Sequence, residues 1–325
     1  MTEAQAPRIQ VFIPTFNRAE RLRRAIDSVL AQSWPAVEVV VLDNHSTDAT
    51  SAMLTAQYAD NPLVRHVRHD VNVGMIANFN AIAGRIDADF FAVLTDDDTY
   101  EPGFVATAMR HFGHHPDIGL VACNAPTRVL GVVKGSQLDY WNEGYYHAGQ
   151  GVFRCLLGHY PLITNCLFRG GLRDIFHFHP EMGNTGDGLI LTTAFASHAA
   201  YVSREISGYW DNDGDNASSR QAFDAVLLTR IALFEYEQYR QLVRHKRMGR
   251  HWLPLAWLKR SLTVLVTADS YGFVALREAT GFDAVFGVGT RVLLRAAANL
   301  RLVRVFMWIL AVARRHAITS DRDNV

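Results

Sequence analysis

The sequence FFAVLTDDD, residues 90–98, joins a run of apolar residues directly to three successive carboxylates. An uninterrupted apolar run of this length is typical of a β-strand that is covered on both faces of a sheet. Two similar strands are predicted upstream, at Ile9–Ile13 and Val37–Leu42, and amphipathic segments separate the three. This alternation predicts an α/β fold with a mostly parallel sheet and helices on both faces.

The same alternation gives the remaining elements. Helices are predicted at Ala19–Gln32, Thr47–Tyr58, Gly74–Gly84, Pro102–Phe112 and Gly186–His198, and further strands at Val64–Val67, Leu120–Cys123 and Tyr201–Ser203. Residues 124–185 are less regular, and Tyr209–Asn216 is predicted to be a loop. From about Ser218 onward the sequence is expected to be helical.

Charge is distributed unevenly along a sequence that is neutral overall. The 325 residues include 32 Lys and Arg and 32 Asp and Glu, with 49% hydrophobic residues, which excludes wholesale disorder. From Arg240 to Val325 there are 15 basic and 5 acidic residues, against 17 and 27 before Arg240. The sequence therefore combines an acidic body with a basic tail, an asymmetry that indicates a charged partner or docking of one part on the other.

Neither the cysteines nor the apolar segments indicate secretion or membrane insertion. Cys123, Cys155 and Cys166 are too few and too scattered for a disulfide framework or a zinc site, so buried thiols in a reducing cytosol are expected. The start, MTEAQAPRIQ, lacks the features of a secretory signal. The most apolar tail segment, Val305–Ala313, is far shorter than the ~18 residues that a membrane span requires.

Polar clusters follow three of the predicted strands. They are Thr15–Arg18, Asp43–Asp48 and Asp96–Asp98. In parallel sheets ligands bind beyond the carboxyl ends of the strands, so clusters that share this edge indicate a binding site. No GxGxxG or GxxxxGK[ST] pattern is present, which removes the main support for a dinucleotide or P-loop site.

The three carboxylates after the buried strand are the strongest chemical signal. Adjacent carboxylates repel one another, and oxygen ligands suit hard cations such as Mg²⁺ or Mn²⁺ that bridge to phosphates. The alternative is a solvated acidic turn that caps the next helix. Asp43 has two interpretations as well, because it can accept hydrogen bonds from a base or ribose or can belong to the turn before the next helix.

Two early segments resemble motifs of family 2 glycosyltransferases. Ile13–Arg18 resembles the opening strand and loop of that family. Val41–Asp48 resembles its DDGSTD or DNxSTD element, with Asn44 in place of the second Asp.

Two later segments extend the resemblance in the expected order and spacing. Asn72–Gly74 with Asn78 and Asn80 resembles the NxG…N helix start, and Leu94–Asp98 with Pro102–Gly103 resembles the LDxDDxxxPG element that contains the DXD metal motif. Thr95 stands where many members have Asp. Together the four segments cover about the first 110 residues and are specific as a set.

The resemblance implies a GT-A fold and a donor site for a nucleotide diphosphate sugar, expected to be UDP-linked, with Mn²⁺ or Mg²⁺ as cofactor. It implies a catalytic domain at 1–217, with a nucleotide-sugar-binding half at 1–123 and an acceptor-binding half at 124–217, and a helical basic region at 218–325. The implied metal ligands are Asp96 and Asp98. The implied donor contacts are Pro14, Thr15, Asn17, Arg18, Asp43 at the base, Asn72, Gly74, Asn78, Asp96 and Asp97.

Members of this family invert the anomeric centre, which requires one carboxylate that takes the proton of the acceptor hydroxyl. The resemblance places this general base at Asp187, where Gly186 replaces the usual preceding Glu. Glu181 is the reserve candidate, and the alternative for Asp187 is an ordinary acid at a helix N-terminus. His177 and His179 precede it on a loop expected on the acceptor side, as surface residues or as contacts to acceptor hydroxyls.

The segment from Tyr209 to Ser218 corresponds to a closing loop in the family, with Trp210 in place of Arg and Asn212 in place of His. A lid is expected there, while metal ligation by Asn212 or Asp213 stays open. An EF-hand is excluded because the required Gly and Glu are missing.

The expected function is transfer of a sugar from the nucleotide donor to a hydroxyl of a glycan or lipid-linked acceptor in polysaccharide biosynthesis. The alternatives are a non-catalytic binding protein with a degenerate site and a sugar-1-phosphate nucleotidyltransferase, which would need a Gly-rich loop after the first strand.

A cytoplasmic location is expected, with the basic, Trp-containing tail either peripheral on the inner face of an anionic membrane or packed on the acidic body. No nucleic-acid partner is expected.

Overall fold

The computed structural model describes residues 6–129, 131–211, 225–245, 247–254, 256–257 and 259–260. The chain divides into two units, Met1–Arg220 and Gln221–Val325. Every strand named below lies in the first unit. That unit also contains all the residues proposed above for the donor site and for catalysis.

Strands and helices alternate through the first unit. The strands are β1 Ile9–Thr15, β2 Val37–Asp43, β3 Val64–Arg68, β4 Phe90–Val93, β5 Thr99–Tyr100, β6 Ile118–Asn124, β7 Thr127–Val129, β8 Val132–Gly135, β9 Gly144–Tyr146, β10 Cys166–Arg169, β11 Ala199–Ile206 and β12 Gly208–Asp211. The helices are α1 Ala19–Leu30, α2 Thr50–Tyr58, α3 Met75–Asn80, α4 Phe104–His114, α5 Val152–Leu156 and α6 Gly186–Ser197. Short 3₁₀ turns lie at Ala83–Arg85, Gln137–Tyr140, Ile163–Asn165, Gly170–Ile175 and Pro180–Thr185.

Eight strands form the main sheet in the order β3-β2-β1-β4-β10-β6-β11-β9. The pairs β3–β2, β2–β1, β1–β4 and β6–β11 are parallel, whereas β10 is antiparallel to both of its neighbours and β9 is antiparallel to β11. A second sheet has the order β5-β12-β7-β8. The prediction of an α/β fold with a mostly parallel sheet and flanking helices is confirmed.

Both faces of the main sheet are buried, which explains why its strands are apolar without alternation. Val39 and Val41 of β2 belong to one apolar cluster, together with Leu22 and Ile26 of α1. Val40 of the same strand faces a second cluster on the opposite side. This packing explains why apolar residues recur every three or four positions in α1, since those are the positions that are buried against the sheet.

Strand β10 was not predicted, because its four residues lie within the irregular region 124–185. It inserts between β4 and β6, so two strands that the alternation makes sequential neighbours are separated in the sheet. Tyr209–Asp211 was predicted to be loop, and this part of the prediction is wrong. These residues belong to β12, because their backbone pairs with β5 and β7. Residues 212–216 of the predicted loop lie outside the described residues.

In the second unit, α7 spans Ala225–Arg244 and a 3₁₀ turn spans Arg250–Trp252. The Lys259 ammonium lies 2.8 Å from a Glu235 carboxylate oxygen. Within the described residues no helix is both long and apolar enough to cross a bilayer. The apolar segment Val305–Ala313 and most of the basic tail lie outside the described residues, and so do the predictions made for them.

The junction after β10 depends on a glycine. A Cβ at Gly170 would overlap the carbonyl oxygen of Ala88, whereas a Cβ at Gly171 would meet nothing within 4 Å. We therefore expect Gly170→Ala to lower the free energy of unfolding by about 1–3 kcal/mol through overpacking. Gly171→Ala is the matched control and should change it by less than ~0.5 kcal/mol. Urea unfolding of both variants measures the difference, and equal stability would contradict the role of Gly170.

Candidate active site

The three polar clusters meet at one edge of the main sheet. Strands β1, β2 and β4 are parallel neighbours, and Thr15 at the end of β1 pairs in register with Asp43 at the end of β2. The Thr15 hydroxyl donates to Asp96 Oδ2 over 2.7 Å, which joins the first cluster to the third. The structure therefore brings together segments that are up to 81 residues apart in sequence.

A cavity of about 390 Å³ opens along this edge. It is lined by eight of the ten residues predicted to contact the donor. These eight are Pro14, Thr15, Arg18, Asn72, Gly74, Asn78, Asp96 and Asp97. Asn17 and Asp43 do not line it, whereas Phe16, Asn44, Met75, Phe79 and Thr95 do and were not among the predicted contacts.

Arg18 supplies the positive charge that faces the carboxylates of the third cluster. Its guanidinium donates to Asp96 over 2.8 Å and to Asp97 over 3.1 Å. Burial raises the pKa of the Asp96 carboxyl, and the charge of Arg18 opposes this rise. Arg18 thus holds the two carboxylates in place beside the cavity.

Asn17 connects two loops instead of facing the cavity. Its backbone adopts a left-handed conformation with φ of 54°, which Asn tolerates better than most residues. The side-chain oxygen accepts from the amide of Thr47 over 2.7 Å and from that of Asp48 over 3.3 Å, and the Asn17 amide donates to Ser46. Asn17 therefore fixes the loop after β1 against the loop after β2.

Asp43 has no exposed side-chain surface. Its oxygens accept from the Ser46 amide over 2.8 Å and lie 3.3 Å from His66 and 3.3 Å from Arg68. Burial alone would raise the pKa of this carboxyl, but hydrogen bonds from His66 and Ser46 hold it well below its usual range. Contact between Asp43 and a nucleotide base would require these partners to move.

Asn44 and Asn72 shape the wall of the cavity beside Asp43. Asn44 accepts from the Val73 amide over 2.8 Å and donates to Asn72 Oδ1 over 2.9 Å. The Asn72 oxygen also accepts from the Gly74 amide, and Gly74 has a φ of 84° that favours glycine. Asn78 donates to the Leu42 carbonyl over 3.0 Å. These contacts explain the asparagines of the NxG…N segment as a support for the cavity wall.

A second cavity of about 200 Å³ continues beyond Asp97. It shares Met75, Phe79, Thr95 and Asp97 with the first cavity. Its remaining lining residues come from the 3₁₀ turns, the loop before α6, the helices α3 and α6, and β12. They are Ile76, Asp98, Leu162, Ile163, Thr164, Phe178, Gly183, Asp187 and Trp210.

Asp187 at the start of α6 faces this second cavity. Burial raises the pKa of its carboxyl to about 6, and a hydrogen bond from the Gly188 amide at 2.9 Å limits the rise. Glu181, the reserve candidate, is exposed and does not line the cavity. His177 and His179 pack on each other with ring centroids 4.6 Å apart and line neither of the two cavities.

The donor set at Asp96–Asp98 fits a hard divalent cation in its chemistry, since it offers only carboxylate oxygens. Both oxygens of Asp96 accept hydrogen bonds, one from Thr15 and one from Arg18, while Asp97 and Asp98 line the second cavity. Among the described residues no group of three His, Cys, Asp or Glu side chains could hold a metal by itself. A cation here would therefore take further ligands from a bound phosphate or from water.

Most of the unpredicted residues that line only the second cavity come from the region between Leu162 and Gly183. Leu162, Ile163 and Phe178 gave no signal, because an apolar residue in an irregular region is usually part of the core. Trp210 was noted only for its departure from the family pattern. Tertiary structure alone brings these side chains to the cavity that holds Asp97 and Asp187.

The family model and the related sequences that match this chain agree with one another. The sequence model described as "Glycosyl transferase family 2" matches residues 10–176. The chain is 39% identical over 98 residues to the succinoglycan biosynthesis protein ExoO of Rhizobium meliloti (strain 1021), which is 30% of this chain and 28% of that protein. It is 29% identical over 105 residues to a GalNAc(5)-diNAcBac-PP-undecaprenol beta-1,3-glucosyltransferase of Campylobacter jejuni, which is 32% and 34% of the two chains. The chain thus spans about a third of the length of these relatives.

Comparison with solved structures supports the fold. Residues 1–349 of S. aureus TarS in complex with UDP-GlcNAc superpose with a TM-score of 0.60 at 15% identity, covering 97% of this chain and 92% of that one. The mannosyltransferase PcManGT of Pyrobaculum calidifontis in complex with GDP-Man and Mn²⁺ gives 0.55 at 17% identity, covering 98% and 87%. At these identities the likeness establishes the fold alone, and the predicted GT-A fold is confirmed.

The Asp43 network generates a prediction about pH. Because the pKa of Asp43 is lower in the folded than in the unfolded chain, its ionised form stabilises the fold above the ordinary carboxyl pKa of about 4. This contribution is lost as the pH falls below ~4. Asp43→Asn should lower the free energy of unfolding by about 1–3 kcal/mol at neutral pH and reduce its fall in acid.

Denaturant unfolding between pH 3 and pH 7 measures both effects. The matched control is Asp60→Asn, which changes an exposed carboxylate to an amide and should leave the pH profile unchanged. An Asp43→Asn profile that parallels the unmodified protein would contradict the structural role of this carboxylate.

Proposed function

The chain belongs to glycosyl transferase family 2, and on that premise we propose that it is an inverting glycosyltransferase that depends on a divalent metal. The donor is a nucleotide diphosphate sugar, and the acceptor is a hydroxyl of a glycan or lipid-linked saccharide. One observation carries the proposal: the two cavities share Thr95 and Asp97, and Asp187 lines the second. A donor whose nucleotide fills the first cavity would place its sugar in the second cavity, beside Asp187.

The first cavity takes the nucleotide part of the donor in this proposal. Its volume of about 390 Å³ and its polar asparagine wall suit a nucleoside. Arg18 lies beside Asp96 and Asp97 and also lines this cavity, so its guanidinium can bind phosphate oxygens of the donor. Asn44 lines the cavity next to the buried Asp43. Within the polar cluster Asp43–Asp48, we propose Asn44 as the residue that faces the nucleobase of the donor.

A divalent cation would be held by Asp98 with its neighbours Asp96 and Asp97 and with the diphosphate. When bound, it would offset the negative charge that develops on the leaving diphosphate. Mn²⁺ or Mg²⁺ is proposed because the side chains offer only hard oxygen ligands. The solved structure of PcManGT with GDP-Man and Mn²⁺ is consistent with this choice.

Asp187 is proposed as the general base. Its raised pKa of about 6 makes it a stronger base than an ordinary Asp, yet it is mostly ionised at neutral pH. The carboxylate takes the proton of the acceptor hydroxyl as that oxygen attacks the anomeric carbon and the diphosphate leaves. Because the attack occurs opposite the leaving group, a single carboxylate is sufficient for inversion.

The finer assignments rest on the relatives. A UDP-linked donor is proposed because TarS was solved with UDP-GlcNAc, although PcManGT was solved with GDP-Man. A glycan or lipid-linked acceptor is proposed because the relatives include a succinoglycan biosynthesis protein and a glucosyltransferase named for an undecaprenol-linked saccharide. For the basic tail we propose peripheral contact with an anionic membrane on its cytoplasmic face.

A thermal-shift screen with nucleoside diphosphates and nucleotide sugars tests the donor site. UDP or a UDP-sugar at about 100 times its dissociation constant should stabilise the protein by about 2.7 kcal/mol, which raises the melting temperature by several degrees. The shift should be larger with Mn²⁺ or Mg²⁺ than with a chelator. The absence of any shift from all nucleotides, with and without metal, would overturn the proposal.

Replacement of the proposed base tests the chemistry. Asp187→Asn should reduce turnover by about 10²–10⁴-fold, measured as release of nucleoside diphosphate from the best-binding nucleotide sugar. Nucleotide affinity should be unchanged, because Asp187 does not line the first cavity. Glu181→Gln is the matched control and should remain active. Binding without turnover in the unmodified protein would instead favour a non-catalytic binding protein.

The pH profile supplies an independent check on Asp187. A base acts only in its ionised form, so turnover should rise with pH through about 6. Below that pH the carboxyl is protonated and cannot accept the hydroxyl proton. Residual turnover of Asp187→Asn should lack this acid limb, and an acid limb that persists unchanged in the variant would assign it to another group.

A further inference from the structure

The second cavity has an unusual wall for a site that binds a sugar. Seven of its lining side chains are apolar or aromatic: Met75, Ile76, Phe79, Leu162, Ile163, Phe178 and Trp210. Its polar side chains are two threonines and three carboxylates, Thr95, Thr164, Asp97, Asp98 and Asp187. The residues that line it include no Asn, Gln, His, Lys or Arg, which are side chains that can donate hydrogen bonds to sugar hydroxyls.

The threonine hydroxyls are already committed as donors. Thr95 donates to Asp98 Oδ2 over 2.7 Å, and Thr164 donates to Asn165 Oδ1 over 3.1 Å. Toward the cavity these hydroxyls therefore offer only lone pairs, as the ionised carboxylates do. A ligand can donate hydrogen bonds near the carboxylates, whereas the aliphatic and Phe side chains of the wall offer it only carbon. Among the described lining side chains, the indole N–H of Trp210 is the one nitrogen donor.

The apolar wall is held firmly in place. Asn80 accepts from the Phe178 amide over 2.7 Å and donates to the Phe178 carbonyl over 2.8 Å, which ties α3 to the segment before α6. The rings of Phe79 and Phe178 lie 5.0 Å apart at an interplanar angle of 57°. Phe178 also packs edge-on against Phe176, with ring centroids 5.5 Å apart. Phe79 and Phe178 are thus held in place, and Ile163 and Phe178 belong to the buried core.

From this we infer that the second cavity takes a 6-deoxy pyranose, whose C6 methyl group forms one apolar edge of the sugar. The inference rests on the proposed function, because it assumes that the cavity between Asp97 and Asp187 holds a reacting sugar. Its hydroxyls would point to the carboxylates and its apolar edge to Leu162 and Phe178. A free hydroxyl at that edge would be buried without a partner, which weakens binding.

A sugar with this apolar edge can come from either of two substrates. It can be the sugar transferred from the donor, or the sugar of the acceptor that presents its hydroxyl to Asp187. Matched pairs of ligands that differ by one hydroxyl distinguish these sources. UDP-glucose with UDP-6-deoxyglucose and GDP-mannose with GDP-6-deoxymannose serve as donor probes. The methyl glycosides of the same four sugars serve as acceptor probes.

Calorimetric titration with Mn²⁺ measures the nucleotide sugars against UDP and GDP alone, and ligand-observed NMR measures the glycosides with and without UDP. We expect the deoxy member of at least one pair to bind about 10–100-fold more tightly. A preference among nucleotide sugars assigns the apolar edge to the donor, and one confined to glycosides assigns it to the acceptor. Equal affinity within every pair, or no binding by any sugar, would overturn the inference.

Failure of the proposed function gives a different result. If neither UDP nor GDP binds, the donor site is wrong, and the glycoside pairs still decide what the cavity prefers. If nucleotides bind but no pair shows a preference, the donor site stands and the inference about the apolar edge is wrong.

A substitution in the apolar wall of the second cavity tests whether this wall causes a preference for the deoxy sugar. Leu162→Asn keeps the number and branching of the non-hydrogen side-chain atoms and supplies an amide donor, so it should reduce the deoxy preference severalfold by improving the affinity of the hydroxylated member. Val132→Asn is the matched control on the exposed β7–β8 hairpin and should leave the ratio unchanged. If the melting temperature shows that Leu162→Asn does not fold, Ile76→Asn tests the same wall from α3. A preference that survives in a folded wall variant would place the selection elsewhere.

Discussion

The burial of carboxylates at the carboxyl edge of the parallel strands is the constraint on which the site depends. Asp43, Asp96 and Asp98 are all nearly inaccessible to solvent. A buried carboxylate destabilises a fold unless hydrogen bonds or opposite charge compensate it. At Asp96 that compensation comes from Arg18 and Thr15 at the end of β1, and at Asp43 it comes largely from His66 and Arg68 of β3. The same contacts that permit burial therefore also shape the first cavity.

Asp43 and Asp187 lie in different environments, which shift their pKa values in opposite directions. Asp43 has hydrogen-bond donors and positive charge around it, so its pKa is lowered and it stays ionised as part of the scaffold. Asp187 is partly exposed and has few hydrogen-bond donors, and desolvation raises its pKa to about 6. A carboxylate of the first kind is a poor base, and one of the second kind is suited to accept a proton near neutral pH. The sequence presents both simply as an aspartate next to a buried element.

Much of the fold followed from the sequence, because strands covered on both faces are apolar throughout and the helices between them are amphipathic. Strand β10 was missed since its four residues, CLFR, lie in an irregular region and are too few to show an alternating pattern. Strand β12 was missed since its polar neighbours resemble a loop. In the candidate site, local motifs identified most residues of the first cavity. Asn17 and Asp43 were also predicted to contact the donor but do not line this cavity, because their partners lie in another loop or on a neighbouring strand.

The sequence by itself determined the class of fold, the family and the edge of the sheet where the polar clusters meet, because strand patterns and short motifs are local properties of the chain. Tertiary structure decided which polar side chains face the cavities and which ones hold the loops together. It also decided the apolar wall opposite Asp97, where Leu162 and Phe178 are brought beside Asp187. The physical reason is that burial and hydrogen-bond partnership depend on contacts between distant segments, and no single segment carries that information.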